Sequence, residues 1–144
     1  MEMKNWKETT HQEALDILTW SVLAELNFKK ILNSVNVDQV FDVIYKFLEN
    51  KIKDNLLSVK DVEEIADNIR EKAKVLFDLA LDGCWERGDD GCHDIATAAV
   101  AFGKANYEKC LKDHEYLKSM REETREYENV LYPFNEIVEK YKNN

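Results

Sequence analysis

Two cysteines, a tryptophan, a histidine and five carboxylates fall between Leu81 and Asp94, in the stretch LDGCWERGDDGCHD. Thiolates and imidazoles are the usual ligands of structural zinc. Cys84, Cys92 and His93, with Cys110 and His114 further on, therefore form a candidate metal set. Cys110 and His114 are four residues apart, and on one continuous helix both side chains would face the same ion. The spacing argues against this set. A zinc knuckle brings its first two ligands within about two to four residues of each other. Here the order is C-x7-C, seventeen residues, then C-x3-H. Single cysteines on helices ordinarily serve as small buried hydrophobes. The expectation is that the chain uses no metal and no other cofactor.

Other chemistries are weaker still. Asp78, Asp82, His93 and Asp94 offer hard ligands for a divalent cation, but the paired E-x-x-H motifs of di-iron bundles are absent. Glu64-x-x-Asp67, in EEIAD, is similar to a fragment of the all-helical nucleotide pyrophosphohydrolases, which would imply a metal-dependent hydrolase of a phosphorylated small molecule. The second acidic pair that such enzymes need has no place in the sequence. Cys92 at a helix start is a candidate nucleophile. His93 is a poor base for it, because adjacent residues on a helix point about 100° apart. No G-x-S-x-G, P-loop or G-x-G-x-x-G occurs. The chain is not expected to supply a catalytic residue.

The elements that must position these residues read as helices throughout. One proline and four glycines in 144 residues leave too few turn formers for a β-rich fold. Leu15, Leu18, Val22, Leu26 and Ile31 predict a first helix from Asn5 to Leu32. Asn36 with Gln39 marks the start of a second, whose stripe of Val40, Phe41, Ile44, Phe47, Leu48 and Ile52 runs towards Asn55. Ser58 with Asp61 opens a third, which holds one apolar face from Val62 to Trp85. The turn ERGDDG ends it. A fourth helix starts near Cys92 with the small residues Ala96, Ala98, Ala99, Ala101, Gly103 and Ala105, and runs to about Val130. Pro133 ends or kinks it, and PFNEIVEKY supplies a short last helix. The expected fold is all-α: one domain over residues 1–144, an antiparallel bundle of four long helices plus a short C-terminal one.

Charge carries the functional expectation. Residues 1–33, 34–57 and 95–144 each carry net −1, whereas residues 58–94 carry −6 of the total of −9. Asp78, Asp82 and Glu86, spaced by four, stack on one helix face and lead into Asp89, Asp90 and Asp94. Like charges at this spacing repel by about 0.2–0.5 kcal/mol per pair, so the cluster is locally costly. A solvated outer face is the plain reading. The sharper one is a surface that docks onto basic groups, with Trp85 as an aromatic anchor.

Basic residues form no patch, which disfavours direct binding to nucleic acid or to an anionic membrane. The longest weakly polar run, Ile95 to Gly103, falls short of the ~20 residues of a transmembrane helix, and the N-terminus lacks the apolar core of a signal peptide. A cytoplasmic location follows as an expectation. The sequence therefore suggests a small acidic binding protein that inhibits or regulates a basic partner protein, nucleic-acid-binding proteins being one such class, in the manner of immunity proteins, anti-defence inhibitors and nucleic-acid mimics. A homodimer is compatible with the pattern. The alternatives are the metal-dependent hydrolase and a sensor with a ligand pocket beside the alanine-rich helix.

Overall fold

A computed structural model describes residues 6–80, 89–125, 127–128 and 130–142, with backbone alone for 6–9 and 89–90. Among these residues the chain is all-helical and contains no strand. The segments are α1 (Trp6–Leu26), α2 (Phe28–Ser34), α3 (Val37–Lys53), α4 (Val59–Ala80), α5 (Asp89–Ala101), α6 (Lys104–Lys112), α7 (His114–Glu123) and α8 (Tyr132–Lys142). No helix among the described residues is long and apolar enough to cross a membrane.

Both helix starts marked by capping residues are where the sequence places them. Ser58 Oγ accepts from the Asp61 amide at 3.0 Å, and Asp61 Oδ2 accepts from the Ser58 amide at 2.9 Å. The two contacts close a reciprocal box that satisfies donors left open at the first turn. At α3 the Gln39 side chain accepts from the Asn36 amide at 3.1 Å. The apolar stripes then point inward. Val40, Ile44 and Leu48 of α3 are fully buried, as are Val62, Ile65, Ile69 and Leu76 of α4. Helix α4 is the hub: α1, α5 and α8 pack on it, while α8 also closes onto α3.

The first and fourth of the long expected helices resolve into shorter pieces. The first ends at Asn27, which adopts the left-handed conformation (φ 53°, ψ 63°) and caps α2 by accepting from the Lys30 amide. Asparagine tolerates this region because its side chain bonds locally. The fourth breaks twice. Asp113 is extended (φ −131°), ends α6, and caps α7 by accepting from the Tyr116 amide at 3.1 Å. Gly103, expected inside the small-residue helix, separates α5 from α6 at φ +115° and ψ 175°, a region essentially confined to glycine. No atom lies within 4 Å of a Cβ built there. Gly103→Ala should therefore cost backbone strain alone, about 1–3 kcal/mol. A urea midpoint unchanged by that substitution would contradict this account of the break. Pro133 opens α8 rather than ending its predecessor, in the first turn where its missing N–H costs nothing.

Candidate functional site

Asp78 lies exposed near the end of α4. Asp82, Cys84, Trp85 and Glu86 lie outside the described residues. Asp89 and Asp90 are the first two residues of α5, and Asp94 is half-buried on the same helix. His93 is exposed, and its ring stacks flat on Phe77 at 4.0 Å and 4°. That contact clips the start of α5 to the end of α4.

Among the described residues, Cys92, His93, Cys110 and His114 form no metal-holding group. Cys92 is buried on α5. Cys110 is fully buried on α6, and His114 begins α7 on the far side of the Asp113 break. The four-residue spacing thus spans two helices and loses its shared face. Among the described residues no three His, Cys, Asp or Glu side chains group so as to hold a metal. Burial pushes the Cys110 thiol up to about 12, only partly offset by the Lys109 charge. At neutral pH its thiolate fraction is about 10⁻⁵, which removes it as a nucleophile. In the native protein Cys110 should resist alkylation at pH 8 and react fully once unfolded. Peptide mapping by mass spectrometry checks this, and rapid native labelling of Cys110 would contradict the burial.

Ala96, Ala98, Ala99 and Ala101 are all fully buried, and α5 packs closely on α4. The small side chains serve close approach there and are themselves covered. Ala105, beyond the glycine break, is exposed.

A polar seam joins α1 to α4. Asn68 donates from Nδ2 to Asp16 Oδ1 and to Thr19 Oγ1, both at 2.9 Å. Gln12 donates to the same Asp16 oxygen at 2.9 Å and to Asn68 Oδ1 at 3.2 Å. Lys72 reaches Asp16 at 2.9 Å while lying over the Trp20 and Tyr107 rings at 5.5 and 5.9 Å. Partial burial pushes the Asp16 carboxyl up, but hydrogen bonds from Asn68 and Lys72 and the Lys72 charge outweigh it and hold the group below its usual range. The seam carries its own cation and its own carboxylate. It is a register device between helices rather than a receptor.

The exposed side of α4 is different. Lys60, Asp67, Glu71, Lys74, Val75 and Asp78 are exposed and Glu64 is half-exposed, at steps of three and four residues along one stripe. Four acids against two bases make this ridge net −2, and Val75, near its C-terminal end, is 44 % exposed. It runs towards the acidic stretch that follows Ala80.

Beside the ridge, α4 and α8 enclose a cleft of about 420 Å³. At one end Lys142 pairs with Glu63 at 3.0 Å. At the other, Arg70 donates to Asp67 at 2.6 Å and to Asn135 at 2.7 Å. Ala66, Val138 and Glu139 complete the lining. The sequence by itself does not announce this cleft. Its signal is polar residues at i, i+4 and i+7 around a small or apolar one at i+3 on each helix, which becomes legible only once α8 is known to pack on α4.

Compared with protein families, with curated proteins and with solved structures, the chain matches none.

Proposed function

We propose that this protein is a binding protein that docks an acidic surface onto a basic face of a partner protein and so restrains that partner. The exposed ridge of Glu64, Asp67, Glu71 and Asp78 carries this reading. It extends the charged surface expected at Asp78, Asp82, Glu86, Asp89, Asp90 and Asp94 back along about four further turns of α4, with Trp85 as the expected aromatic anchor. The ridge keeps an excess of two negative charges over Lys60 and Lys74, and that excess attracts a cationic partner. On this reading the class is that of small cytoplasmic inhibitors of the immunity or anti-defence type, including nucleic-acid mimics. The framework is the antiparallel four-helix plan, in which α1–α2, α3, α4 and α5–α7 stand for the long members and α8 closes the bundle.

The test is affinity capture with the immobilised protein at low and high salt, followed by identification of what is retained. Basic proteins retained at low salt and released at high salt support the reading. Retention of neutral or acidic proteins that ignores salt overturns it.

A further inference from the structure

We infer that the cleft between α4 and α8 is a slot for an arginine side chain of the basic partner. The inference rests on the acidic-ridge reading above and adds where the partner is gripped. Its basis is the make-up of the cleft.

Pockets for drug-sized ligands are lined mostly by apolar groups. Here only Ala66 and Val138 are apolar, and the remaining lining is charged or amide. That lining suits a charged group with a short aliphatic stem. The sign of the charge follows from the pairing. Both cations are already neutralised from within, Lys142 by Glu63 and Arg70 by Asp67. Glu139 forms no ion pair among the described residues. Three carboxylates against two cations leave the cleft net −1. The facing turns of α4, from Lys60 to Glu71, hold five acids and two bases, net −3. An anion would have to displace internal partners, whereas a cation meets uncompensated charge.

The shape points to guanidinium. Glu63 and Arg70 stand seven residues apart, so the cleft is about 10 Å long. Its ends are closed by the Glu63–Lys142 and Arg70–Asn135 bridges. The methylene stem of an arginine can lie along Ala66 and Val138. Its planar head can then donate to Asp67 of α4 and Glu139 of α8, the lining carboxylates not engaged by Lys142, as a fork that serves both at once. Asp67 keeps this capacity because its side chain remains 67 % exposed while holding Arg70.

The experiment is an NMR titration of the ¹⁵N-labelled protein with N-acetyl-arginine amide, run beside the capture assay. The expected result is amide shifts confined to residues 63–70 and 135–142. The fitted affinity should weaken at least about tenfold in the Asp67→Asn, Glu139→Gln double variant. It should persist in Glu71→Lys, Asp78→Lys, where the ridge is reversed and the slot intact. Both variants replace exposed groups, and an unchanged spectral dispersion confirms that they fold. Shifts scattered along the ridge, no shifts, or shifts that survive the double variant each overturn the slot. If ridge-dependent capture of a basic partner persists meanwhile, the acidic-surface reading stands without it. Cleft shifts with no salt-sensitive basic partner would instead overturn the assignment of the arginine to a protein and leave a site for a free guanidinium compound.

Discussion

Phe28→Ala is expected to lower the unfolding free energy by about 3–5 kcal/mol, the range for removing a large aromatic side chain from a core. Phe28 is fully buried and is the first residue of α2, immediately after the left-handed Asn27. Its ring meets Phe102 at 5.9 Å and Tyr127 at 5.8 Å, both tilted. One side chain thus ties the first helical pair to the end of α5 and to the segment before α8. Truncation forfeits burial, two ring contacts and the packing of three remote segments together. At about 2 cal/mol/K of unfolding entropy per residue, a 144-residue chain should lose about 10–17 °C in Tm. Phe28→Leu keeps much of the volume and should cost clearly less. A loss under about 1 kcal/mol for the alanine variant in urea unfolding would show that Phe28 is not the junction described.

The double charge reversal Glu71→Lys, Asp78→Lys is expected to slow association with a basic partner by about 10–100-fold at low salt. Each substitution adds two units, so the formal charge moves from −9 to −5. Both residues are exposed, and surface changes of this kind ordinarily alter stability by no more than about 0.5 kcal/mol. The loss should shrink as salt rises, because the screening length falls from about 10 Å at 0.1 M to about 3 Å at 1 M. Glu108→Lys with Glu128→Lys makes the same change in net charge on exposed positions away from α4. It should leave most of the rate intact. Equal slowing by the two pairs would mean that net charge matters and the ridge does not.

How far the sequence carried depended on the range of each signal. The Ser58–Asp61 box and the α4 stripe are local, so residue types and spacing suffice to read them. The Asn27 and Asp113 breaks are local too, but their residues are compatible with both helix and cap, and packing decides between them. Gly103 illustrates this well. Amid alanines it reads as one more small residue, and only the turn that folds α6 back requires its positive φ. The Cys110–His114 pairing failed as a metal-ligand signal for the same reason, since its geometry assumed an unbroken helix. The ridge was partly legible, because the excess of acid in residues 58–94 is visible by counting. Which of those acids face outward on α4 required knowing that α1, α5 and α8 cover its other sides. The α4–α8 cleft is a property of two helices some seventy residues apart, and no local pattern announces it.

The most direct measurement is carboxyl footprinting of the protein with and without its captured basic partner. In this method a carbodiimide couples an amine to accessible Asp and Glu side chains, and mass spectrometry reads each site. Asp67, Glu71 and Asp78 should be protected in the complex, while Glu13, Glu108 and Glu128 should label as in the free protein. Protection of the latter three with undiminished labelling of Glu71 and Asp78 would contradict the central claim that the acidic ridge of α4 is the binding surface.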